Sequence, residues 1–224
     1  MFFIFKIALF CAYLLNMCES NCTADTTKET MEDPIIDSKM TMEEIFDGLS
    51  PDCPIEIKSR QQVVDVLYYS FDGMIHQGQI VIDEALADDV NYAFQKALVD
   101  KFSIQSVIPI SHRDYRKNGR WNDELSMQKN NSSGFNYREM AGQSKLSNHA
   151  FGWALDINPV QNPYIKGDRI LPPQAKYVQG NQGTLTHDSA FTKALIERGW
   201  EWGGDWKTLK DYQHFEKRLE RIEK

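Results

Sequence analysis

The chain has 224 residues, of which 42% are hydrophobic, 12% aromatic and 25% charged, a composition suited to one globular domain or at most two. It excludes a wholly disordered chain, a collagen-like repeat and a multi-span membrane protein. The net charge of −7 argues against a nucleic-acid partner, because phosphate binding rests on clustered Lys and Arg.

That charge is unevenly spread. Residues 21–54 hold nine acidic and two basic side chains, whereas residues 55–224 hold 22 of each sign. The acidity therefore says little about what the larger part binds.

Residues 1–20 begin with a single Lys6 and continue into the apolar run Ile7–Cys18. The run is short for a bilayer span and fits a secretory h-region. It predicts a signal peptide and an exported protein. An uncut N-terminal anchor, the only expected membrane contact, is the alternative. Lipidation at Cys18 is disfavoured by Met17, where a small residue is wanted. All four cysteines, Cys11, Cys18, Cys22 and Cys53, precede residue 55. The body of the protein thus has no thiolate ligand and no cysteine nucleophile. Cleavage after Ser20 would leave Cys22 and Cys53, a pair that an oxidising compartment could join.

Residues 21–54 are rich in Thr, Ser and Asp and read as a solvated acidic linker, with one short helix over Met40–Phe46. Residues 55–224 read as the folded domain. Val63–Tyr69 and Gly78–Ile82 have strand composition, with a turn signal at Phe71-Asp72-Gly73. Asp83 caps a helix through Asp100, with Leu86, Val90, Phe94 and Leu98 on one stripe. Ile104–Ile110 reads as a strand. Residues 111–146 form a polar excursion around Asn130-Asn131-Ser132-Ser133-Gly134, of a length that usually carries function. Ser189 opens a second helix, with Phe191, Leu195 and Ile196 inside and Gly199 just past its end. Strands and helices do not alternate regularly, so the expected class is α+β with a mixed or antiparallel sheet.

Two runs carry chemistry. After His149 and Gly152, alternation sends Trp153, Leu155 and Ile157 to one face and Ala154, Asp156 and Asn158 to the other. Asp156 then projects beside the small Ala154, which leaves space in front of it. Nearer the C-terminus, two glycines stand among Trp200, Trp202 and Trp206, and Asp211 precedes His214 by three residues. The first group reads as an aromatic wall over a tight turn, and a turn lets Asp211 and His214 converge. A lone His near an Asp is most often a structural pair. Together, however, His149, Asp156 and His214 supply the three ligands of an open metal site, and Asp211 supplies a carboxylate to take a proton from water. His76, His112 and His187 are assigned no role.

The run SNHAFGWALDINPVQNPY resembles the SxHxxGxAxD signature of the zinc D-alanyl-D-alanine carboxypeptidases, the VanY-like peptidases of peptidoglycan. GWEWGGDW followed by DYQHFE resembles that family's C-terminal block. SMQKNNSSGFNYR and FDGMIHQGQIVIDEALADDV resemble segments of one branch, so the likeness runs from about Val63 to Glu216. It implies the compact α+β fold shared with the Hedgehog signalling domain, a small sheet with flanking helices. It also implies Zn²⁺ bound by His149, Asp156 and His214, with Asp211 as the catalytic base. On the substrate side it implies Ser147, supporting the site by hydrogen bonding, and Arg138 as the clamp for a terminal carboxylate. Arg113 is the rival clamp, and His112-Arg113-Asp114 departs from the acidic residues common there. The implied activity removes a C-terminal D-amino acid from peptidoglycan stem peptides. A peptidoglycan endopeptidase and a non-catalytic wall-binding module are the alternatives. No G-x-S-x-G element supports a serine hydrolase. The expected partner is the stem peptide, and the sequence sets no oligomeric state.

Overall fold

The computed structural model describes residues 33–140 and 142–219. The signal segment, Cys11, Cys18 and Cys22 lie outside the described residues. The chain divides into Met1–Pro34 and Ile35–Lys224, and the second unit is α+β.

Strand β1 (Ile35–Ile36) runs parallel to β3 (Ile75–Asp83), and β2 (Gln61–Tyr69) pairs antiparallel on the other side of β3. One face of β2 and β3 presents Val66, Tyr68, Ile80 and Ile82 to the main core. The opposite face presents Val63 and Val81 to a smaller cluster around Ile45 and Phe135. Burial on both faces explains why β3 is apolar almost without interruption towards its end.

The acidic stretch 35–54, expected to be a linker, instead covers that second face. Helix α1 (Met42–Phe46) is started by a capping box between Thr41 and Glu44, and it buries Ile45. Its charges point outward while one side docks, so composition alone reads it as solvated. Helix α2 (Ile55–Lys58) follows. Cys53 is half-buried, has no disulfide partner among the described residues, and its Sγ lies 3.8 Å from Pro54 O.

Asp83 caps a 3-10 turn, from which helix α3 (Ala87–Val99) continues. Leu86, Val90 and Phe94 are buried as expected, and the stripe is completed by Ala93 and Ala97, with Leu98 half-buried. Phe94 meets Phe191 edge-on at 5.2 Å, and Phe191 in turn packs on Phe215 at 5.7 Å. Helix α5 spans Ala190–Glu197 with Phe191 and Leu195 inside. Ile196, expected inside, is 39% exposed, because the inward positions are already filled one turn back.

The expected strand 104–110 is reduced to β4 (Ser106–Val107). The polar excursion is not an open loop. It holds the hairpin β5 (Arg116–Lys117) and β6 (Arg120–Trp121), helix α4 (Asp123–Gln128), and β7 (Asn131–Ser132), which runs parallel to β4. Asn130 to Asn136 is buried throughout. Asn131 pays for its burial with bonds to the backbone of Ile108 on both sides and to Ser126 Oγ.

Two further three-stranded sheets follow. β8 (Ala154–Asp156) pairs with β13 (His214–Glu216), which pairs with β11 (Glu201–Trp202), all antiparallel. β9 (Tyr164–Lys166) is central between β10 (Arg169–Leu171) and β12 (Lys210–Asp211). Among the described residues no helix is long and apolar enough to cross a membrane.

Candidate metal centre

The sheet β11-β13-β8 delivers two of the candidate ligands. Asp156 and His214 are direct cross-strand partners. The flanking bonds run from Ile157 N to Gln213 O and from Lys217 N to Trp153 O. Asp156 and His214 are therefore a non-hydrogen-bonded pair, the kind whose side chains approach most closely on one face. Ala154 lies opposite Glu216 on that face, and its small side chain leaves room for the glutamate.

His149 arrives from a 3-10 turn over Asn148–Phe151. Ser147 caps that turn, its Oγ accepting from His149 N at 3.3 Å. Gly152 ends the turn in the left-handed region at φ 70°, and a Cβ there would stand 2.6 Å from Asp83 N. This pairing of a polar cap with a glycine stop aims the imidazole back at the sheet.

The three groups converge. His149 Nε2 lies 3.2 Å from His214 Nδ1 and 3.2 Å from Asp156 Oδ2, and His214 Nδ1 lies 3.0 Å from Asp156 Oδ1. Donor atoms about 2.0–2.1 Å from a tetrahedral ion stand about 3.3 Å from one another; the two imidazole nitrogens have that spacing and each has a different oxygen of Asp156 beside it, so the group could hold a divalent metal. The set is buried, with 3%, 8% and 7% exposure for His149, Asp156 and His214.

Each imidazole is oriented from behind. His149 Nδ1 lies 2.7 Å from Gly134 O, a carbonyl that can only accept, so Nδ1 carries the proton and Nε2 is left for a ligand. Gly134 is required there, because a Cβ would stand 2.3 Å from Val81 O. His214 Nε2 lies 3.0 Å from Glu216 Oε2, which also accepts from Asn148 Nδ2 at 2.7 Å. Arg218 holds the other carboxylate oxygen at 2.9 Å. Neither Gly134 nor Glu216 was anticipated as a partner. Glu216 was detectable, because residues two apart on a strand share a face. Nothing local marks Gly134.

The electrostatics follow from burial and pairing. Burial pushes the Asp156 carboxyl up, but His149 and His214 together hold it well below the usual range. Burial pushes His214 down, and its bonds to Asp156 and Glu216 outweigh that, lifting it to about 10. Glu216, also opposed by burial, is drawn down to about 2 by His214 and Asn148. Asp211 moves the other way. Burial raises it to about 7, with the charge of Asp156 adding and His214 and Gln213 opposing.

Asp211 ends β12, which is registered against Tyr164 of β9. The turn between Asp211 and His214 is tied to the aromatic wall by Trp202 Nε1 donating to Tyr212 O at 2.8 Å. Trp206 lies against His214 with ring centroids 5.4 Å apart. Trp200 belongs elsewhere, donating to Asp89 of α3.

The two arginines differ in placement. Arg138 donates to Asp123 of α4 at 3.0 Å, and its backbone carbonyl accepts from Ser147 N. Its Nε is buried without a hydrogen-bond partner. Arg113 has a side chain 89% exposed, with Asp114 4.0 Å away. His76 sits between Asp37 and Asp72, and His187 pairs with Asp205 at 2.6 Å, both apart from the triangle.

A buried His-Asp-His triangle with a raised carboxyl three residues before its last histidine defines a metallopeptidase type of centre. Residues 141–217 match the family model described as D-alanyl-D-alanine carboxypeptidase, and over this stretch the chain is similar to that family. The matched stretch contains His149, Asp156, Asp211 and His214, and it supports a metallopeptidase hydrolase. Arg113 and Arg138 lie outside it. No curated protein matches the chain, and no solved structure does.

Proposed function

We propose that the protein is an exported zinc peptidase that removes the C-terminal D-amino acid from peptidoglycan stem peptides, on a fold of the DD-peptidase and Hedgehog type. The observation that carries this reading is the convergence of His149, Asp156 and His214 at 3.0 to 3.2 Å beside Asp211, inside the matched stretch.

His149, Asp156 and His214 would hold the zinc ion, which when bound would polarise the scissile carbonyl and make water acidic enough to lose a proton near neutrality. Gly134 O and Glu216 fix the two imidazoles, so the ligand set needs little rearrangement. Asp211 accepts a proton from the attacking water and returns it to the leaving amine nitrogen. A carboxyl raised to about 7 suits both halves of that transfer near neutral pH. Trp206 shields one side of His214. A purely structural metal site has no use for such a carboxyl, which weighs against a non-catalytic module. In this reading the enzyme is exported, meets peptidoglycan outside the cytoplasm and uses no nucleic acid.

Arg138 is the proposed clamp for the substrate's terminal carboxylate, two parallel N–H bonds being the geometry an arginine offers. One observation favours the endopeptidase as second reading: Arg138 is already engaged by Asp123, and Arg113 projects into solvent. The discriminating experiment compares stem peptides ending in D-Ala-D-Ala with the same peptides amidated at the C-terminus, with and without chelator. Loss of cleavage on amidation supports the carboxypeptidase. Equal cleavage of both replaces it with the endopeptidase, and no chelator-sensitive cleavage of either removes the peptidase reading.

A further inference from the structure

Gln213 lies between the candidate base and the last ligand in sequence and is only 3% exposed. Its backbone carbonyl accepts from Ile157 N at 3.0 Å, which fixes the residue to the strand that carries Asp156. Its side-chain Nε2 donates to Asp211 Oδ1 at 3.2 Å and lies 3.7 Å from Met127 Sδ on α4. Its Oε1 is buried with no hydrogen-bond partner. An amide carries a desolvation cost here that a methionine of similar length would not. The amide is therefore unfavourable as packing and has a specific contact only towards Asp211 and Met127.

We propose that Gln213 is a positioning residue that grips Asp211 through Oδ1 and leaves Oδ2 as the oxygen that exchanges the proton. The inference rests on the reading of Asp211 as the base. A carboxylate held by one N–H donor keeps its plane, and its second oxygen keeps one direction, which is what proton transfer over a short distance requires. The same N–H favours the ionised form, the one able to accept a proton. Met127 Sδ lies against the same amide nitrogen, so α4 braces the base from the polar stretch.

The test uses the zinc-loaded full chain with Gln213→Met, Gln213→Glu and Asp211→Asn, alone and combined. Gln213→Met keeps length and volume and should lower kcat on the order of ten- to a hundredfold, the scale of a hydrogen bond to a charged group. Metal content, thermal midpoint and KM should stay near wild type. The acid limb of the kcat/KM profile should move to higher pH, further for Gln213→Glu, which sets a like charge beside Asp211. Adding Gln213→Met to Asp211→Asn should cost nothing more. A wild-type rate and pH profile in Gln213→Met overturns the proposal. So does a loss that is equally large in the Asp211→Asn background, or one that tracks lost metal. Full activity in Asp211→Asn alone overturns the parent reading instead, and the two failures are thereby separate.

Discussion

Asp156 and His214 face each other across β8 and β13, with Oδ1 and Nδ1 3.0 Å apart. The strand register makes the approach, so this half of the metal centre is built into the sheet and does not depend on a loop. His149 must be brought to it from a separate turn. His149→Ala and His214→Ala should each lose metal and activity, from about one zinc per chain in the wild type. Metal analysis after purification decides this, and a full complement in either variant removes that residue from the ligand set.

Glu216 should matter to the metal without touching it. It accepts from His214 Nε2, Asn148 and Arg218. Glu216→Gln is close in size but holds the imidazole more weakly. Zinc affinity should fall about 10–100-fold, the usual cost of losing such a partner. Competition with a chromophoric chelator measures it, and unchanged affinity would show that the sheet alone orients His214.

The metal uptake should depend on pH in a stated direction. His214 is raised from 6.5 to about 10, so at neutral pH the metal-stripped site holds a proton that the ion must displace. Above about 7, where Asp211 is already ionised, affinity should rise with pH by about tenfold per unit for one proton and level off near 10. Without metal, the proton's contribution to stability is complete below the ordinary value of 6.5 and is lost as pH rises through about 10. Calorimetry in buffers of different ionisation enthalpy should find close to one proton released at pH 8. Finding none would mean that His214 is neutral before the metal arrives.

Gly134 links the buried polar stretch to His149. A Cβ there would meet Val81 O at 2.3 Å, and the two backbones must separate to admit it. Gly134→Ala should lower the thermal midpoint and zinc affinity together, because the carbonyl that orients His149 moves with the displaced backbone. A midpoint that falls while affinity holds would uncouple the two roles.

The parts of the site that sequence reveals are those set by local periodicity. Alternation after Gly152 places Asp156, and the short span from Asp211 to His214 places a turn. The stripe of α3 is legible for the same reason. Residues 35–54 and 111–146 are misread because their polar groups serve the interior. Asn131 and Asn136 bond inward to backbone and to Asp123, and Ile45 is one apolar residue in an acidic run. Composition reports average polarity, whereas burial there depends on whether each polar group finds a partner. The orienting role of Gly134 comes from a strand crossing distant in sequence, which no local pattern encodes.

The asparagine variant is nearly the same size, so Asp211→Asn should keep the fold, the zinc and the contacts of the Trp-lined turn. It cannot accept the water's proton, so kcat should fall by at least the ~10²–10⁴-fold typical of general acid–base catalysis. KM should change little, because the proposed carboxylate clamp at Arg138 is a different residue. The pH profile gives a second readout. A base works only when deprotonated, so activity must rise with pH through its pKa. Burial sets that at about 7 in Asp211, and a bound dication would pull it lower, since it favours the carboxylate. The acid limb of kcat/KM should therefore lie below 7 in the wild type and vanish from the residual activity of Asp211→Asn. Asp156→Asn is the control, as it alters a charged ligand and should weaken zinc binding as well. If Asp211→Asn loses zinc while Asp156→Asn retains it, the two carboxylates have exchanged roles. If Asp211→Asn is fully active with its acid limb in place, the base lies elsewhere.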